Sequence, residues 1–258
     1  MDKDNILAIV GLVLIVVLSI LAARLFERFF GKKKEEKTST DLIHQMVADA
    51  FIIAIEMVMI FVPNMAFIGV GPFSFTLLHL PVLLGAALFG ARRGAIYGLV
   101  FGLGSWFKAL TGANNAFDLA FQKIWVSVPP RLLFGVIAGL SFSLLRKLSK
   151  GKVNGVYLGL VAAAATCVHT VLVFADLILS TDWIWNWLTT SEAELAGGKI
   201  AIAGFLALGM AGEATLGAIL TPTLYKTLTK AIPSLRKLDA EKTAAQPVIR
   251  EEIEKENA

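Results

Sequence analysis

The chain has 258 residues and a mass of 27.8 kDa, with 56% hydrophobic and only 17% charged residues and a mean hydropathy of +0.71. Soluble domains carry about 45–50% apolar and about 25% charged residues, so this excess exceeds what one aqueous core could bury, and the composition points to a membrane protein. Twenty-four basic against 20 acidic side chains leave +4, too little for a nucleic-acid surface, and the lone Cys167 excludes a disulfide framework or a thiolate metal cluster.

Apolar runs of about 20 residues span a bilayer as helix, because lipid offers the backbone no other hydrogen-bond partner. Seven such runs lie near residues 6–26, 42–62, 75–90, 94–110, 127–145, 153–179 and 198–226. The first follows the non-basic MDKDN and precedes Arg24, Arg28 and Lys32 to Lys34. That order predicts an uncleaved anchor with its N-terminus outside rather than a secretory signal. With its basic linker it forms a unit over 1–40.

The second run carries Ala50 and Ala54, the fourth Gly94, Gly98 and Gly102, and the fifth Gly135 and Gly139. Small residues at four-residue spacing let helix backbones approach closely where no hydrophobic drive separates helix from lipid. The third run, 75–90, is short and is expected to bend at Pro81. The tail 231–258 has no apolar period and reads as a charged cytoplasmic segment. The working body is therefore 41–230.

Basic loops mark the cytoplasmic side. GKKKEEK (31–37), Arg92 with Arg93, and RKLSKGK (146–152) alternate along the chain, so one topology places all three inside and the C-terminus with them. The same topology sends 63–74, 111–123 and 180–198 outside.

Polar side chains within the runs are costly in lipid and mark function or pairing. Thr166, His169, Thr170 and Asp176 share one helical face in the sixth run, and Glu213 lies mid-span in the seventh. Lys108, Lys123 and Arg131 bracket the 111–126 connection together with Asn114, Asn115, Asp118 and Gln122. A polar cavity opening outward keeps such groups hydrated or paired. No GxxxxGK[ST] run, HExxH or CxxC is present, so no nucleotide, metal or cofactor site is expected in this chain, and energy for active transport would come from another one.

The stretches FVPNMAFIGVGPFSFTLLHLPVLLGAALFGARRGAIYGLVFGLGSWFKAL, FDLAFQKIWVSVPPRLLFGVIAGLSFSLLRKL, HTVLV (169–173) and GEATLGAILTP (212–222) resemble the substrate-binding S components of energy-coupling factor (ECF) vitamin transporters. The likeness covers roughly 42–228 in order and spacing. It implies an all-α integral membrane protein, a six-helix bundle to which the N-terminal helix and charged tail are additions. It further implies a non-enzymatic, high-affinity vitamin-binding subunit in the cell membrane of a bacterium, with a transmembrane coupling subunit and two ATPases as partners.

Carried over by position, the resemblance nominates Asn64 and Phe67 in the first outer loop, Lys108, Asp118 and Gln122 around the third-to-fourth connection, His169 in the sixth run and Trp183 in the last outer loop. Arg131 in VPPRLLFG also matches, as a substrate contact or as a brace for the loop above the pocket. His79 matches a family histidine and reads as a brace near Pro81. Ala50 and Ala54 stand where the family's coupling subunit docks on an AxxxA face.

The texture is closest to the riboflavin and pantothenate branch. His169 and the run Gly209-Met210-Ala211-Gly212-Glu213 replace amide and lysine positions expected of a riboflavin binder, whereas Lys108, Lys123 and His169 suit a carboxylate. Pantothenate is therefore favoured, with riboflavin next. An intramembrane serine protease is the competing class, with Ser105 and His169 as nucleophile and base. Against it, no oxyanion-hole donor is identifiable and Ser105 lies near the outer end of its run.

Overall fold

The computed structural model describes residues 39–62, 65–70, 73–112, 116–149, 153–180, 193–232 and 235, with backbone alone at 39–41, 67–70, 73–75, 116–117, 193–203 and 205–206. The 6–26 run, Asn64, Trp183 and most of the tail lie outside the described residues. In chain order the elements are α1 (Ser39–Phe61), β1 (Phe67–Val70), β2 (Phe73–Thr76), α2 (His79–Phe89), α3 (Ala91–Gly112), the short α4 (Ala116–Ala120), α5 (Ile124–Leu148), α6 (Gly155–Ser180) and α7 (Ala193–Ala231).

Six principal helices coincide with the six apolar runs of the body, and among the described residues the molecule is an all-helical membrane bundle apart from one hairpin. Leu42–Phe61, Ile124–Leu148 and Gly155–Ser180 are long and apolar enough to cross a bilayer. The third run departs from expectation. Its first residues belong to β2, which pairs antiparallel with β1 in the register Phe67 to Thr76 and Val70 to Phe73. Aromatic and β-branched residues on both sides of Gly71-Pro72 favour such a ribbon, so α2 begins only at His79. Its 11 residues rise about 16 Å, roughly half the bilayer core. It is instead a core helix, buried at His79 and from Pro81 to Leu88. The expected bend at Pro81 gives way to a first-turn position, where a missing N–H costs nothing. Gly90, at φ 84°, ends α2 and turns the chain straight into α3.

The glycine stripe of α3 packs on α5. A Cβ at Gly94 would overlap the Gly135 carbonyl, one at Gly98 the Arg131 carbonyl and one at Gly102 the Val128 backbone; Gly139 meets Ala91 likewise. These are backbone atoms and cannot swing aside, so glycine is required for this approach. Gly159 and Gly217 bring α6 and α7 together in the same way, against Ala218 and the Thr166 hydroxyl. The central core runs from Ile52 of α1 through Leu83, Tyr97, Phe101, Phe134 and Phe142 to Leu158, and a second cluster of Ala120, Val126, Val173 and Leu177 lies under Phe121 and Trp125.

α1 leans on α2 and α3 through Ile52, Glu56, Met59 and Ile60. Its other face exposes Ile43, Met46, Val47, Phe51, Val58 and Phe61 with Ala50 and Ala54 between them. This is one apolar stripe at helical spacing.

Candidate functional site

Arg131 is placed by the local sequence. Pro129 and Pro130 lie inside α5, and proline has no N–H to donate to the carbonyl four residues back. The carbonyl freed by Pro130 is that of Val126. Arg131 supplies the missing donor, its Nη1 lying 2.9 Å from Val126 O. The guanidinium is thereby held over the Phe121 ring at 4.5 Å and near that of Phe101 at 5.7 Å, where the ring faces attract a cation. Its Nε is buried without a partner.

His169 enters the same interior from α6. It is 3% exposed and sits between Phe134, at 4.7 Å, and Phe101, at 5.4 Å. Both ring nitrogens lack hydrogen-bond partners. Ser105, one turn beyond Phe101 on α3, has a buried, unpartnered Oγ, and Asp176, two turns beyond His169, has a buried, unpartnered Oδ2. Arg131 acts electrostatically on His169 and feels both Asp176 and Glu213. Thr166 and Thr170, on the same face by spacing, donate instead to Ala162 O and Thr166 O within their own helix.

A polar atom buried without a partner costs about 1–3 kcal/mol, and native interiors hold few of them. Five such atoms lie on Ser105 of α3, Arg131 of α5, and His169 and Asp176 of α6. They comprise a cationic donor, an imidazole, a hydroxyl and a carboxylate acceptor. Such a set suits a small polar guest that fills the hydrogen bonds the helices leave open.

The rim is braced. Gln122 Nε2 donates to Ala109 O at 3.0 Å, Trp106 Nε1 donates to Gln122 O at 2.9 Å, and Lys123 Nζ donates to Ser180 O at 3.1 Å. On the α7 side, Thr76 N donates to Glu213 Oε1 at 2.8 Å, which ties the end of the hairpin to the bundle. His79 is fully buried, with Nδ1 2.8 Å from Thr76 O and Nε2 3.2 Å from Glu213 O. It braces the same junction, as its place beside Pro81 suggests.

Of the residues nominated from sequence, the structure brings Arg131 and His169 together. The amide of Gln122 is engaged in the brace, and Lys108 Nζ lies over Gly112 of its own helix. Asp118 is half-buried in α4, Phe67 is in β1, and Asn64 and Trp183 fall outside the described residues. Phe101 and Phe134, which sandwich His169, were missed, because an aromatic in an apolar run carries no signal of its own. Asp176 was legible only as a polar position, and Ser105 only as the nucleophile of the competing protease reading. Ser105 and His169 are each unpartnered, so the nucleophile-to-base hydrogen bond of a serine protease is not formed.

A family model described as the ECF transporter substrate-specific component matches residues 44–234. The chain is 30% identical over 179 residues to the pantothenic acid transporter PanT of Lactococcus lactis subsp. cremoris, covering 64% of this chain and 83% of that protein. It is 27% identical over 187 residues to the pantothenate transporter PanT of Leuconostoc mesenteroides subsp. mesenteroides, covering 69% and 92%.

Proposed function

The chain belongs to the substrate-specific components of ECF transporters, and on that premise we propose that it captures pantothenate outside the cell and delivers it inward together with a transmembrane coupling subunit and two ATPases. The observation that carries the ligand assignment is the set of unpartnered buried atoms on Ser105, Arg131, His169 and Asp176. Pantothenate is a carboxylate joined through an amide to a dihydroxy acyl group, so it offers acceptors to Arg131 and donors to Asp176. The names of both relatives favour the same ligand over riboflavin. Lys108, Asp118, Gln122, Asn64, Phe67 and Trp183 belong to this reading as surrounding positions that complete or cover the site.

The test is to purify the full chain in mild detergent, identify co-purifying vitamins by mass spectrometry, and titrate the stripped protein. Co-purified pantothenate with saturable binding is the expected result. Co-purified flavin, with its yellow colour and no response to pantothenate, would overturn the assignment.

The exposed stripe of α1 supports Ala50 and Ala54 as the surface on which the coupling subunit docks, since small side chains let a second helix approach closely. Ala50→Trp and Ala54→Trp should keep pantothenate binding and lose both co-purification with the coupling subunit and ATP-dependent uptake. Full uptake by both variants would remove the docking assignment. The proposed orientation has the N-terminus outside and the C-terminus in the cytoplasm. In a Cys167→Ala background, Asp2→Cys and Glu192→Cys should react with an impermeant thiol reagent in intact cells while Ser149→Cys does not.

A further inference from the structure

The polar groups that face the site differ in sign along its length. Asp176 lies two turns after His169 on the same face of α6, toward the end of that helix. Its Oδ1 accepts from Ser180 Oγ at 3.3 Å, and its Oδ2 is buried with no partner. Lys123 Nζ donates to the Ser180 carbonyl at the same end of α6. Asp176 and Arg131 attract each other, yet among the described residues they form no ion pair. One guanidinium hydrogen-bonding edge is taken by Val126 O and the Nε edge is left open. A gap therefore separates a fixed donor from a fixed acceptor.

Charge decides what fills each end. An arginine has no acceptor, so its open edge takes an anion or a carbonyl. The Asp176 carboxylate offers Oδ2 as an open acceptor, so a ligand hydroxyl donates to it, whereas a ligand carboxylate brought against it meets a like charge. Resting on the pantothenate reading, we infer that Asp176 is a specificity-determining contact that accepts a hydrogen bond from a ligand hydroxyl while Arg131 Nε takes the carboxylate. The ligand thus lies with its dihydroxy acyl end toward Asp176. The site selects hydroxy acids, rejecting at one end the analogue that lacks the hydroxyls and at the other the analogue that lacks the charge.

The experiment is a set of calorimetric titrations of the full chain in detergent with three ligands. These are pantothenate, its analogue lacking both hydroxyls, and panthenol, in which an alcohol replaces the carboxylate. Asp176→Asn should weaken pantothenate about 10- to 100-fold, the range expected for one hydrogen bond to a charged group, and leave the dideoxy analogue within about 2-fold of its wild-type Kd. Arg131→Gln should show the mirror pattern, with pantothenate and the dideoxy analogue weakened alike and panthenol little changed. Asp176→Glu keeps the charge one methylene further out and serves where Asp176→Asn does not fold; it should restore part of the hydroxyl discrimination.

Equal losses for pantothenate and the dideoxy analogue in both Asp176 variants, or no loss in either, would overturn the orientation while leaving the pantothenate reading intact. A wild type that binds none of the three ligands would overturn that reading, and the orientation with it.

Discussion

Two polar clusters share α3 and differ in how completely their hydrogen bonds are made. Near the start of α3, Arg93 pairs with Asp49 of α1 and reaches Gln45 Oε1, and Tyr97 donates its hydroxyl to Asp49. Two turns further along the same helix comes Ser105, and on it, Arg131, His169 and Asp176 five buried polar atoms are open. The first cluster joins two helices and requires nothing else. The second is incomplete in the protein alone, and completing it from outside is what binding consists of. Polar groups in a membrane bundle thus serve as fasteners where each has its partner, and as recognition elements where the bundle withholds one.

The strongest way to break the comparison is to displace α3 itself, since it carries both clusters. Gly135→Val places a branched side chain against the Gly94 backbone. It should abolish the folded bundle, read as loss of a monodisperse peak in detergent and of all binding.

The clusters should then separate under single substitutions. Asp49→Ala strands Arg93 and the Tyr97 hydroxyl, and should cost about 2–3 kcal/mol of stability, less than a fully buried pair because the side chains keep 28% and 20% of their exposure. That corresponds to a fall of about 5–10 °C in Tm, with the Kd of the folded protein unchanged. A Kd shift matching the loss of stability would show that the two clusters are coupled. His169→Leu should do the reverse. Leucine fits between Phe101 and Phe134 with no open nitrogens, so the ligand-free protein keeps its Tm or gains a few degrees while affinity falls about 10-fold.

The smallest effect concerns the exception on the fastened side. Glu56 lies on the buried face of α1, fully enclosed, with both carboxylate oxygens unpartnered. Glu56→Met, similar in volume and without those atoms, should raise stability by about 1 kcal/mol with no change in Kd. A large loss of binding instead would move Glu56 from the fastened cluster to the recognition side.

The polar face of α6 shows how far the sequence reached and where it stopped. Its helical period placed Thr166, His169, Thr170 and Asp176 together, because side-chain direction along one helix follows from local geometry. It could not separate the threonines, which satisfy themselves within the helix, from the His169 ring nitrogens and Asp176 Oδ2, which lack partners. Similarly, Gln122 and Lys108 are nominated by position, but the Gln122 amide is taken up by Ala109 O of α3 and Lys108 Nζ lies over Gly112 of its own helix.

Sequence by itself determined the membrane class, the six helices of the body, the small-residue stripes and the family, since each rests on composition or on periods within about 20 residues. Only the tertiary structure decided that 67–76 is a hairpin, that α2 is a short core helix, and that Arg131 replaces the N–H which Pro130 lacks. The same holds for the two aromatics that enclose His169 and for the atoms left open around it. Those outcomes depend on distances between residues far apart in the chain, and whether a buried donor meets an acceptor is settled only when helices from α3 to α7 pack at backbone contact.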